Sequence, residues 1–405
     1  MNALPEIPTE RIAVKLKTAA ERMVRKEHPW VFDEGIVKQS KKGNAGDLAI
    51  IYDQKKNKLM AMGLYDPYSP IRIKVIHFKT PATIDGNWFQ QKVQAAFALR
   101  QPLLETDTNS YRLIHGENDG FPGVVADVYA QVLVLKLYSM AWFPYLKELL
   151  PALVSCSQVQ AVVLRLSRNI QQQSVKQYDL KDGDLLAGTL PHKEVIFKEH
   201  GLHFSANVIS GHKTGYFLDH RHNRKRVGEI ASGKRVLDVF AYAGGFSVHA
   251  LAGGAKSVVS LDISKQALKM AQKNVALNEL DGEHRILAAD AFEAMERMIA
   301  NRTQFDVVVV DPPSFAKSEK EKVGALQAYQ RLASLAVPLV ARNGVLLLAS
   351  CSSRVRSEEF FDLILKSLKN SGRNFKELDR TTHDVDHPIG FPEGAYLKCG
   401  YFQLF

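Results

Sequence analysis

The chain is predicted to be an α/β protein. Its C-terminal half should form a doubly wound parallel sheet, preceded by a small β-barrel and an α+β unit. Three observations carry that expectation. From about residue 196 onward, short runs rich in Val, Ile and Leu alternate with helix-patterned segments, the order of a parallel sheet with crossover helices. Two of those runs end in reactive residues: Phe305–Val310 leads into Asp311-Pro-Pro-Ser-Phe315, and Gly344–Ser350 leads into Cys351, 40 residues after Asp311. Residues 11–80 instead hold several short apolar runs separated by Gly, Asn, Lys and Pro, the spacing of a small barrel or curled sheet.

Taken in order, the first segment has a brief helix near 19–26 and strands at 35–38, 47–53, 59–65 and 71–78. Lysines 41, 42, 55, 56 and 58 fall in its turns. A second segment, 81–195, opens with a helix over 88–104, where apolar residues recur at helical spacing and Pro102 marks the end. Strands at 123–127, 132–138 and 161–166 and a helix at 143–154 complete it. The third segment, 196–405, has strands at 235–240, 257–262, 285–290, 305–311 and 344–350, with clear helices at 265–278 and 327–340.

Composition narrows the function classes. No stretch reaches the ~18 apolar residues of a membrane span, and the first residues lack the basic and apolar regions of a signal peptide. Three cysteines without C-x-x-C spacing support neither a disulfide framework nor a zinc site, so a cytoplasmic protein is expected. The net charge of +10 points to a polyanionic partner. Residues 1–80 carry 15 Lys and Arg against 9 Asp and Glu, or +6. The sequence leaves the oligomeric state open, a homodimer included.

The third segment holds a ligand pattern. Asp238 precedes Phe240-Ala-Tyr242-Ala-Gly244-Gly, and Asp262 follows 24 residues after Asp238, near the ~20 expected for an acid that binds ribose hydroxyls. Gly244 lets the backbone approach a ligand closely. Asp290, read as the end of the third strand, and Ala291 beside it suit an adenine amino group. The dinucleotide fingerprint G-x-G-x-x-G is absent, and a carboxylate at Asp238 would repel a pyrophosphate but attract the sulfonium and amino group of S-adenosylmethionine. Acids at 238, 262, 290 and 311 in one register therefore point to a methyl donor. Cys351 and Asp311 are the catalytic candidates, whereas Cys156 and Cys399 are assigned to packing. Lys213, Arg221, Arg224, Lys225 and Arg226 form a basic stretch suited either to phosphates or to a solvated helix face. The pairs His220/His222 and His383/His387 lack a third ligand and are read as non-metal.

These residues carry a resemblance. Ser210-Gly-His-Lys-Thr-Gly-Tyr-Phe-Leu-Asp-His-Arg221, Phe240–His249, Asp311–Phe315, Ser350-Cys-Ser352, His387-Pro388 and Pro392–Lys398 are similar to motifs of the RlmI family. So are His28–Phe32, Tyr111–Ile114 and Asp119–Gly123. Its members methylate C5 of cytosine in large-subunit ribosomal RNA with S-adenosylmethionine. The resemblance implies a PUA-like RNA-binding domain at 11–80, an α+β connector at 81–195 and a Rossmann-like class I methyltransferase domain at 196–405. It also implies Phe217, Asp219 and Ile263 as cofactor neighbours, beside Asp238, Phe240, Tyr242, Gly244, Asp262, Asp290, Ala291 and Asp311. The mechanism it implies runs through a covalent Cys351 adduct. Relatives that methylate guanine N7 share the Asp-Pro-Pro loop without the cysteine. The alternatives are thus methylation of another base, or an RNA-binding assembly factor that keeps only the fold.

Overall fold

The computed structural model describes residue 4 and residues 6–316 and 318–405. They fall into two compact units. The first comprises 1–198, 206–217 and 385–391; the second comprises 199–205, 218–384 and 392–405.

In the first unit, strands β1 (Arg11–Leu16), β2 (Trp30–Phe32), β3 (Ile36–Gln39), β4 (Leu48–Tyr52), β5 (Leu59–Tyr65) and β6 (Ile71–Phe78) form one sheet in the order β2-β6-β5-β4-β1-β3. Helix α1 (Thr18–Arg25) lies between β1 and β2 in the chain. Strands β1 and β2 are not expected from the sequence. Each is short, and β1 reads Arg-Ile-Ala-Val-Lys-Leu, with Ile12, Val14 and Leu16 on the buried face. A second sheet follows with β7 (Ser110–His115), β8 (Val124–Tyr129), β9 (Val132–Leu137), β10 (Ala161–Leu166) and β11 (Leu185–Ala187), ordered β11-β10-β9-β8-β7. Helices α2 (Gly86–Leu104), α3 (Leu146–Ser157) and α4 (Arg168–Tyr178) accompany it. Asp85 caps α2 by accepting from Trp88 N at 3.0 Å. Leu48, Met62, Leu64 and Ile76 from the first sheet share one core with Trp88, Phe89, Leu133 and Trp142 from the second part, which is why the two segments form a single unit.

Strands β12 (Glu194–Glu199) and β13 (Leu202–Asn207) make a two-stranded sheet along which the chain passes into the second unit. That unit holds β14 (Arg235–Val239), β15 (Ser257–Asp262), β16 (Glu283–Ala288), β17 (Phe305–Val310), β18 (Val340–Ser350), β19 (Phe375–Thr381) and β20 (Lys398–Leu404). Their order is β16-β15-β14-β17-β18-β20-β19; β14 to β18 run parallel and β20 is antiparallel to both its neighbours. The intervening helices are α5 (Arg221–Glu229), α6 (Gly245–Ala252), α7 (Lys265–Ala276), α8 (Ala291–Ala300), α9 (Lys322–Leu339) and α10 (Ser357–Asn370).

The continuous valines of β17 have a direct cause. Val308 and Val310 enter the core beneath α8, α9 and α10, while Val307 and Val309 enter the core on the opposite face with Phe246 and Tyr401. A strand covered on both faces has no reason to alternate with polar residues. Chain order reverses between β14 and β17, and such a switch point opens a crevice at the strands' C-terminal ends.

Candidate active site

The loop after β14 is built around three left-handed residues: Phe240 at φ +65°, Tyr242 at +48° and Gly244 at +74°. Two non-glycine residues in that region cost on the order of 1 kcal/mol each, and packing on both sides holds them there. A Cβ at Gly244 would stand 2.7 Å from Ala271 Cβ, so this glycine permits close approach of α7.

Asp238 is fully buried. Its Oδ2 accepts from Ser247 N at 3.1 Å and from Ser247 Oγ at 2.6 Å, while Oδ1 has no hydrogen-bond partner among the described residues. Burial pushes its carboxyl up to about 7, against the pull of Ser247 and with some help from Asp311 and Asp262. An orphaned buried carboxylate oxygen beside a sheet edge suits a cationic donor group such as an ammonium. Asp262 ends β15; its Oδ2 accepts from Tyr242 N at 3.0 Å and its Oδ1 from Ser264 N at 2.8 Å. Ile263 next to it is 74% exposed, an apolar surface on the rim.

Asp290 departs from its expected place. Strand β16 closes at Ala288, and Asp290 is the N-cap of α8, accepting from Glu293 N at 3.1 Å, with Ala291 buried behind it. The four acids also do not share one register. Leu261 and Val310 both pair with Val239, which sets Asp262 and Asp311 level with Phe240. Asp238 pairs with Ser260 and Val309, two residues deeper. The sequence shows that acids follow apolar runs, not how the runs are staggered.

Asp311 and Cys351 emerge side by side. Strand β18 lies next to β17, and Cys351 Sγ sits 3.8 Å from the Pro312 carbonyl oxygen. Burial first, then the carboxylates of Asp311 and Asp219, push the Cys351 thiol up to about 12. The cation that works against this is Lys398. Lys398 opens β20 opposite Ser350, is almost fully buried, and donates to the carbonyls of Ser352 at 2.5 Å and Val355 at 2.7 Å, so it shapes the turn after the thiol. Burial lowers its own ammonium to about 8. Ser350 Oγ donates to Tyr329 Oη at 2.9 Å, and Ser352 Oγ to the Ala316 carbonyl at 3.3 Å, which fix the turn from below.

Asp219 accepts from Tyr396 Oη at 2.9 Å, and the edge of His383 meets the Tyr396 ring at 4.4 Å. His220 is buried with Nε2 3.3 Å from Asp311 Oδ1. Phe217 belongs to the first unit, where its ring meets His212 at 5.5 Å. The basic stretch is corrected as well. Arg221 and Arg224 are buried and paired, Arg224 with both Glu199 oxygens at 2.7 and 2.6 Å and Arg221 with Asp384 at 2.9 Å. Arg226 pairs with Asp379 and lies over the Tyr401 ring. Of that stretch, Lys213 and Lys225 are the exposed residues.

No role for His220, Tyr396 or Lys398 is legible in the sequence. Each lies inside a motif that carries the family resemblance, yet its partners are distant in the chain.

The chain matches known families over most of its length. Residues 111–384 match the family described as S-adenosylmethionine-dependent methyltransferase, and residues 14–78 match the PUA-like domain. The chain is 42% identical over 406 residues, 99% of each chain, to the ribosomal RNA large subunit methyltransferase of Deinococcus radiodurans. It is 36% identical to the ribosomal RNA large subunit methyltransferase I of Tolumonas auensis, covering 95% of this chain and 97% of that one. Among solved structures, SMU.776, a putative methyltransferase complexed with SAH, superposes with a TM-score of 0.81 at 19% identity, over 98% of this chain and 100% of that chain.

Proposed function

The chain belongs to the RlmI-like family of S-adenosylmethionine-dependent large-subunit ribosomal RNA methyltransferases, and we propose that it methylates C5 of a cytosine in 23S ribosomal RNA through a covalent Cys351 adduct. The observation that carries this reading is the juxtaposition of Cys351 and Asp311 at one sheet edge, in a domain whose neighbouring strands present Asp238 and Asp262. S-adenosylmethionine supplies an electrophilic methyl group when bound. Asp238, with its unpartnered Oδ1, would take the donor's amino group, Asp262 the ribose hydroxyls, and Phe240, Tyr242, Gly244, Ile263, Asp290 and Ala291 the remaining contacts. Asp219 is held by Tyr396, and its charge is felt by the thiol, so we assign it to the nucleophile's surroundings rather than to the cofactor; Phe217 stays a cofactor neighbour only by resemblance.

Cytosine C5 is too weak a nucleophile to react unaided. The Cys351 thiol gives up its proton and adds to C6, which raises electron density at C5. After C5 has taken the methyl group, its proton leaves, the C6–S bond breaks, and the ring and the thiol are restored. Asp311 holds the pyrimidine edge and supports protonation at N3, and Pro312 and Pro313 stiffen the loop that presents it. Neither interaction is feasible inside a paired helix, so the base must be unpaired or flipped out. Residues 11–80 would bind RNA, 81–195 would connect, and 196–405 would carry the chemistry. Incubation with labelled methyl donor and unmethylated 23S RNA, followed by nucleoside analysis, should yield 5-methylcytosine, and Cys351→Ala should abolish it. Label in 7-methylguanine, or full activity of the variant, would overturn the reading.

A further inference from the structure

We infer that His220 is a positioning residue for Asp311, locked by Asn223 into the tautomer that carries its proton on Nε2, so that it donates to the Asp311 carboxylate as a neutral imidazole. The inference rests on the proposed role of Asp311 as the group that holds the base.

Asn223 stands in the first turn of α5. Its Oδ1 receives the hydroxyls of Thr381 at 2.6 Å and Tyr401 at 2.8 Å. The Tyr401 hydroxyl also lies 3.5 Å from the Asn223 carbonyl oxygen, so it faces two acceptors and acts as a donor. With its oxygen fixed in this way, Asn223 turns its amide nitrogen to His220 Nδ1 at 3.1 Å. An amide NH2 has only hydrogens to offer, and Nδ1 must therefore be the bare, accepting nitrogen. The single ring proton is left on Nε2. That nitrogen is buried and has no well-aligned hydrogen-bond partner among the described residues, and Asp311 Oδ1 stands 3.3 Å away. Contacts of this kind are often long before substrate binds and tighten with it.

The groups that face the imidazole are Asp311, Asp219, Arg224 and His222, with the Phe246 ring at 5.6 Å. Burial works against a second ring proton, but the two carboxylates outweigh it, so that electrostatics alone would lift the ring above its ordinary range. On Nδ1, however, that proton would meet the Asn223 amide hydrogens. His220 consequently works as a donor and not as an acid. It anchors one oxygen of Asp311 and leaves the other for the pyrimidine edge. The relay runs from β19 and β20 through α5 to the Asp-Pro-Pro loop.

The test has a spectroscopic arm and a kinetic arm. Imidazole nitrogen NMR of the full chain, with the His220 signals identified by their loss in His220→Gln, should show a neutral Nε2–H tautomer between about pH 7.5 and 8.5. In Asn223→Asp, whose carboxylate can accept from Nδ1, the ring should become protonated in that range and the pH profile of methyl transfer should move. His220→Leu should lose about a hundredfold in kcat with the RNA KM little changed, while His220→Gln, which keeps an N–H donor, should stay within about tenfold of wild type. Donor binding and melting temperature report whether each variant folds. An Nδ1–H or cationic His220 in the wild type, or wild-type kcat in His220→Leu, would overturn the inference. If the wild type makes no 5-methylcytosine, the reading of the reaction falls, while the NMR result still decides the tautomer.

Discussion

At the level of single residues, the proposed nucleophile has an unfavourable starting point. The Cys351 thiol is raised to about 12 by burial and by Asp311 and Asp219, and Lys398 is the group that pulls it back. Replacing Lys398 with Met removes that pull and frees two carbonyls of the following turn. Alkylation of Cys351 by iodoacetamide should then slow severalfold at neutral pH, where Lys398 carries its charge. Alkylation mapped by mass spectrometry checks this, and an unchanged rate would remove Lys398 from the account. The cysteine's place at the end of an apolar run was legible in the sequence. Lys398 was not, because only the antiparallel pairing of β20 with β18 sets it opposite Ser350.

Among the elements, the loop from β14 into α6 carries two tests. Gly244→Ala forces a Cβ to within 2.7 Å of Ala271 at φ +74° and should destabilise the protein by about 1–3 kcal/mol, seen as a lower melting temperature. Asp238 gives a pH test with a definite sign. Folded Asp238 keeps its proton until about 7, whereas in the unfolded chain it loses it near ~4. Between those values the folded state binds more protons, so this group lowers stability as pH rises. Without donor, Asp238→Asn should melt higher than wild type at pH 8 and similarly at acid pH. Its affinity for S-adenosylmethionine should fall at pH 8, whereas wild-type affinity should weaken as pH drops below 7; calorimetry at both pH values decides. Strands β14, β17 and β18 were readable because strands buried on both faces are nearly continuously apolar. The N-cap role of Asp290 was not, since an acid after a strand and an acid before a helix look alike in the sequence.

For the molecule as a whole, a cluster of cations lies in the first unit, outside the excess carried by residues 1–80. His212 and Lys213 are exposed, and a proton on His212 is opposed by burial and then by Lys213, Lys136, Arg168 and Arg165. Arg165 holds the loop through the Gly211 carbonyl at 3.1 Å, and Thr214 anchors it to Asp127 at 2.6 Å. The doubly substituted Lys213→Glu, Arg168→Glu protein should bind ribosomal RNA more weakly, and the slope of log affinity against log salt should shrink by about 0.7–0.9 for each phosphate no longer neutralised. Filter binding across salt concentrations measures it, and an unaltered slope would exclude this patch. By itself the sequence determined the fold class, the parallel strands β14, β15, β17 and β18, and the methyl donor, and it singled out the thiol as a candidate, because these follow from local patterning and short motifs. Tertiary structure alone decided that Arg221 and Arg224 are buried partners of Asp384 and Glu199, that Asp238 lies deeper than Asp262 and Asp311, and that His220 stands beside Asp311. Each of those depends on strand register or on contacts between residues far apart in the chain, which no local pattern encodes.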